Sequence, residues 1–154
     1  MFLRFGVALL AGGLIGVERQ SVGKPAGLRT HMLVSLGAAL FLMTAMELSP
    51  PAEQFNAASR TIQGIVTGIG FLGAAEVLRL NGGLSQSPLQ ETGKPLPIVG
   101  LTSAAATWVT AALGAAAGGG LWQMALTGSL LTVIVLRLLW WVEIKVFGQE
   151  NFHE

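Results

Sequence analysis

Cysteine, aspartate and tyrosine are missing from this chain altogether, and only 11% of its 154 residues are charged. Without cysteine there is no disulfide framework, no thiol nucleophile and no cysteine-ligated metal. The two histidines, His31 and His153, are too far apart in sequence to form a metal motif. No phosphate loop or nucleophile with a nearby base is present, so neither an enzyme nor a cofactor is expected. The net charge of +1, with no basic patch interleaved with aromatics, speaks against nucleic acid as a partner. A soluble domain carries about 25% charged residues. The deficit here calls for a solvent other than water, and lipid is the obvious one.

What fills the chain instead is apolar: 52% hydrophobic residues and a mean hydropathy of +0.64. A membrane-spanning helix needs about 20 mainly apolar residues. Five stretches qualify, near residues 2–18, 31–47, 61–80, 99–117 and 121–142, which predicts an all-α, polytopic bundle over residues 1–142 and a short cytoplasmic tail at 143–154. The first stretch is read as a retained helix, not a signal peptide, because its Gly12, Gly13 and Gly16 suit packing. Proline, glycine and polar residues mark 48–59 and 81–97 as loops, and "GGG" at 118–120 as a tight turn.

Lysine and arginine near helix ends give the orientation. With the first loop inside, Arg19, Lys24, Arg29, Arg79, Lys94, Arg137 and Lys145 oppose Arg4 and Arg60, seven against two. The N-terminus is therefore expected outside and the C-terminus in the cytoplasm. Trp122 and the Trp140–Trp141 pair suit the two interfacial belts, and Arg137 can extend its stem to the headgroups.

Two helix hairpins show a repeat. "GLIGVE" at 13–18 is answered by "GFLGAAE" at 70–76, each followed by a basic residue, and "GLRT" at 27–30 by "GLTS" at 100–103. Both hairpins would start outside and turn inside, so the repeat is parallel. Small residues let helix backbones approach in lipid, where no hydrophobic drive brings helices together. Gly12, Gly16, Gly64, Gly68, Gly70 and Gly73 are the candidate packing glycines, and helices one, three and four are expected to form the tight centre. Trp108, mid-helix, reads as a large packing residue.

Charges gather where these hairpins turn: Glu18, Arg19, Arg29, Glu76 and Arg79. A charge there is costly unless paired, wetted or snorkelled. Arg79 shares a helix face with Glu76; across the seam, Arg19 or Arg29 could serve Glu76 while the other serves Glu18. These pairs could fix helix register alone. They could also build a polar pocket in which Arg29 and the starts of helices two and four, capped by Thr30 and by Thr102 or Ser103, receive an anion above Glu18 and Glu76.

The series "GGLIGVERQ", "AGLRTHMLVSLGAAL", "GIVTGIGFLGAAEV" and "VGLTSAAATWVTAALGAAAGGGLW" resembles the membrane domain of the MgtC/SapB family of bacterial inner-membrane proteins, over roughly residues 1–135. The resemblance carries over Glu18, Arg19, Gly27, Leu28, Arg29, Thr30, Gly70, Gly73, Gly100, Thr102 and Trp108 as motif residues. It implies an inner-membrane location and a role in growth under magnesium limitation. The best-studied members are thought to restrain the membrane ATP synthase; the older description as magnesium transporters is disputed. Two motif positions depart from the family pattern, Ala75 for a glycine and Val99 for an arginine. Longer members add a soluble domain after the fifth helix, which the resemblance here does not include.

Two functions follow. One is a non-enzymatic regulator that touches membrane lipids, another membrane protein such as the ATP synthase, or further copies of itself. The other is an oligomeric transporter or channel for Mg2+ or another small ion. Mg2+ favours carboxylates and retained waters, and only Glu18 and Glu76 lie in or at the edge of helices one to four, both at one end.

Overall fold

The computed structural model describes residues 1–80 and 100–147, with the side chains at 79, 80, 139, 140, 142–144, 146 and 147 outside that description. Five α-helices follow one another: α1 (Phe2–Ser21), α2 (Leu28–Glu47), α3 (Gln54–Leu80), α4 (Leu101–Gly118) and α5 (Trp122–Phe147). A single turn of 3-10 helix, Pro51–Glu53, leads into α3. Three helical segments are long and apolar enough to cross a membrane, Leu28–Glu47, Pro51–Leu78 and Leu101–Gly118, and Trp122–Leu138 is a shorter apolar helix. The protein is an all-helical, multi-pass membrane protein. The expected loop at 81–97 and the end of the tail lie outside the described residues.

Helix ends differ from expectation in ways the local chemistry explains. The stretch at 48–59 reads as a loop by its prolines and polar residues, yet α3 begins at Gln54. Pro51 suits the first turn of a helix, where a missing N–H costs nothing. Helix α1 runs to Ser21 and stops where Gly23 turns to φ 70°. Thr30 and Thr102 do not cap: the N-cap positions are Gly27 and Gly100, and neither donates or accepts through a side chain. The amide of Leu28 is met instead by Gln20 of α1, whose Oε1 accepts it at 3.2 Å.

The centre of the bundle is α2 held between α1 and α4. An added Cβ at Gly12 would stand 2.5 Å from the carbonyl oxygen of His31, and one at Gly16 would stand 2.7 Å from Cα of Leu28. From the other side, a Cβ on Gly114 would collide with the backbone of Ser35, and one on Gly118 would stand 2.8 Å from Cα of Ala39. Ser35 itself is fully buried and donates from Oγ to the carbonyl of Ala8 at 2.7 Å. The expected centre of helices one, three and four is thus corrected: α2 occupies the place given to the third helix. The hydrophobic core between α1, α4 and α5 gathers Val7, Ala11, Ile15, Leu113, Ala117 and Ala125.

Helix α3 packs on α2 and α4 at the edge, with only 6% of its span buried against 56% for α4. Gly64, Gly68 and Gly70 meet no atom within 4 Å of an added Cβ. An added Cβ at Gly73 does meet the bundle, 3.4 Å from Cβ of Ala104. In the sequence match Gly16 corresponds to Gly73 and His31 to Ala104, so the same hairpin contact occurs in both halves, tighter in the first.

At the far end from the α1–α2 turn, Arg4 donates from Nη1 to the carbonyl of Gly118 at 3.1 Å. A cation at the last turn of α4 satisfies a carbonyl that the helix leaves open and complements its dipole.

The glycine contacts separate two kinds of substitution. Gly114→Val should cost about 1–3 kcal/mol or more through forced separation of α2 and α4. Gly70→Ala, which enters open space, should be neutral or stabilise by up to about 1 kcal/mol. Unfolding in mixed micelles followed by tryptophan fluorescence checks both.

Candidate functional site: the charged end of the bundle

Glu18 and Arg19 end up inside the protein, with side chains only 3% and 5% exposed. Arg19 donates from Nε to Glu18 Oε2 at 2.6 Å and from Nη2 to Glu18 Oε1 at 3.0 Å. Neighbours in a helix point about 100° apart, so both side chains must bend toward each other to make this fork. The result is a closed bidentate pair, the geometry in which a buried guanidinium and carboxylate satisfy each other best.

His31 is the third charged-type residue buried here, with no exposed surface. Its backbone is the surface against which Gly12 packs, and its Cβ lies 3.2 Å from an added Cβ on Gly16. Nδ1 donates to the carbonyl of Gly27 at 2.9 Å, while Nε2 has no hydrogen-bond partner. As half of a metal pair His31 has no partner, because His153 is too far along the sequence, and that test misses its buried place. The available signal was its position four residues after Gly27, where an imidazole can bond back along the first helical turn.

The other residues of the expected pocket lie apart from this pair. Glu76 belongs to a separate cavity of about 280 Å3 between α2, α3 and α4, lined by Ala26, Thr30, Val34, Leu72, Ala75 and Thr107 among others. Its Oε1 is shielded from solvent and has no hydrogen-bond partner among the described residues. Arg29 and Thr102 are exposed and do not line this cavity. The side chain of Arg79 lies outside the described residues. The structure therefore brings Glu76 together with Thr30, joins Glu18 to Arg19, and leaves Arg29 and Thr102 on the surface.

Two further concavities flank α3, both apolar. A groove of about 590 Å3 between α3 and α4 is lined by Phe55, Ile62, Val66, Trp108 and Ala112 among others. Trp108 remains 45% exposed there, so it does not act as internal packing within the chain. A groove of about 1030 Å3 separates α3 from α2. Among the described residues no group of three acidic, histidine or cysteine side chains is placed to hold a metal.

Comparison with known proteins gives a consistent result. A profile of the MgtC family matches residues 5–144. Protein SrpB of Synechococcus elongatus is 43% identical, over 86% of this chain and 71% of that protein. The putative magnesium transporter YhiD of Escherichia coli is 36% identical, over 98% of this chain and 65% of its own length. Protein MgtC of Salmonella typhimurium is 38% identical, over 84% of this chain but only 46% of its own length. No solved structure matches the chain.

The buried pair makes a prediction with an internal control. Arg19→Met leaves the Glu18 carboxylate buried without its partner and should cost about 3–5 kcal/mol. Arg19→Met combined with Glu18→Gln removes both charges and should recover most of that loss. Denaturant unfolding of the two variants in micelles measures the difference.

Proposed function

Because the chain belongs to the MgtC family, we propose that it is a non-enzymatic membrane regulator that binds another membrane protein through its helix faces, in the setting of magnesium limitation or ion homeostasis. The observation that carries this reading is the groove between α3 and α4, where Trp108 stands half exposed in the middle of an apolar span. Away from the interfacial belts, an exposed indole has an N–H that hydrocarbon cannot satisfy. A partner helix offering a hydroxyl or carbonyl would satisfy it. The lysine and arginine distribution supports an N-terminus outside and a C-terminus in the cytoplasm, in a bacterial inner membrane.

An ion pathway, as the printed name of YhiD suggests for that protein, has less support. Of the two carboxylates at the charged end, Glu18 is neutralised by Arg19, which leaves Glu76 alone to attract a cation. Mg2+ flux into vesicles holding the pure protein, absent in the regulator reading, tests this alternative directly.

The regulator reading predicts a stoichiometric partner. In-membrane cross-linking of the full chain in native bacterial membranes, followed by purification, should capture one membrane protein, with subunits of the ATP synthase the first candidates by family resemblance. Trp108→Ala should lower that capture by about tenfold, the loss of roughly 1.4 kcal/mol of binding, without loss of folded protein. Capture unchanged by Trp108→Ala would remove this groove from the mechanism.

A further inference from the structure

We propose that the groove between α2 and α3 receives a second copy of this chain, related by a two-fold axis along the membrane normal, with Arg29 of each copy paired to Glu76 of the other. This groove does not include Trp108, although it shares Ile65 and Ile69 of α3 with the groove that does, and the proposal does not rest on the regulator reading.

The groove is open and apolar. Gly37 of α2 and Gly64 and Gly68 of α3 line it, and an added Cβ at any of the three meets no atom within 4 Å. It runs into the Glu76 cavity, with which it shares Val34 and Leu72. The groove thus leads to a carboxylate oxygen that is hidden from solvent and has no partner among the described residues.

The matching cation is present on the same molecule. Arg29 is exposed, sits beside the cavity-lining Thr30, and makes no hydrogen bond or ion pair among the described residues. A two-fold axis along the membrane normal keeps every residue at its own depth, and an isologous interface makes each contact twice. Acid and base from the same end of two copies therefore meet level with each other. Acyl chains could fill the groove but would leave the carboxylate without a cation, at a cost that lipid does not offset. The open glycines supply the close backbone approach that drives helix association in lipid.

The absence of natural cysteine makes the test clean. The full chain in native membranes, carrying Leu72→Cys, is treated with a short bis-maleimide; Val135→Cys on the exposed side of α5 is the control. A product of twice the chain mass is expected with Leu72→Cys and not with Val135→Cys. Arg29→Glu or Glu76→Arg alone should lower that product by about tenfold, and the double exchange should restore it even where a single variant folds poorly. Gly68→Leu should lower it while leaving the folded monomer intact. Absence of the product, equal product at Val135→Cys, an adduct of another mass, or charge reversals without effect and without rescue would each overturn the proposal.

Discussion

Everything else in this bundle depends on how closely the α2 backbone approaches its neighbours on both sides. In water such contact would be driven by burial of apolar surface, but lipid tails are as apolar as leucine, and the drive must come from packing and hydrogen bonds. Gly12 and Gly16 bring α1 down onto Leu28, His31 and Ser35, and Gly114 and Gly118 bring α4 onto Ser35 and Ala39. The Ser35 hydroxyl then bonds to α1 within the contact it sits in. With α1, α2 and α4 packed on one another, α3 packs on α2 and α4 and lies at the edge.

That arrangement sets the chemistry of the charged end. Where α1 and α2 are in closest contact, the last turn of α1 is drawn inside, and with it Glu18 and Arg19. A single charge there would be unsustainable, and the adjacent opposite charge neutralises it. In the second half the equivalent contact, Gly73 against Ala104, is looser, α3 is less covered, and Glu76 lines a cavity with no cation among the described residues that line it. One repeat has closed its charge and the other has left it open.

Much of this was legible in the residues. Length and hydropathy were enough for five helices, because lipid imposes a span length that chance apolar runs seldom meet. The motifs were enough for the family. Less legible was which helix sits in the middle: glycines at i and i+4 occur on both α1 and α3, and only the face each turns to its neighbours distinguishes Gly12 from Gly64. The pairing of charges was hidden for a similar reason. Adjacent residues on a helix do not ordinarily face each other, so Glu18 and Arg19 looked like candidates for cross-seam partners. Capping by Thr30 followed from sound preference rules, but Gln20, on another helix, reaches Leu28 first. Arg4 was counted as an outer charge for orientation, and its bond to Gly118 depends on a contact between chain segments 114 residues apart.

Two open glycines of α3, Gly64 and Gly68, carry the final step. Glycine in a helix costs about 0.5–1 kcal/mol relative to alanine, and a surface that meets only acyl chains gains nothing from the missing methyl. On α1 and α4 the same cost is offset by backbone contact that any Cβ would block. On α3 an added Cβ at Gly64 or Gly68, which line the groove toward α2, meets no atom within 4 Å, so the contact that would offset the cost lies outside the single chain. A bundle whose centre is saturated and whose edge helix keeps an apolar, glycine-bearing face is built to be completed by another helix. Glu76, which lines the adjoining cavity and has a shielded oxygen with no partner among the described residues, fixes the sign of the charge that helix must bring.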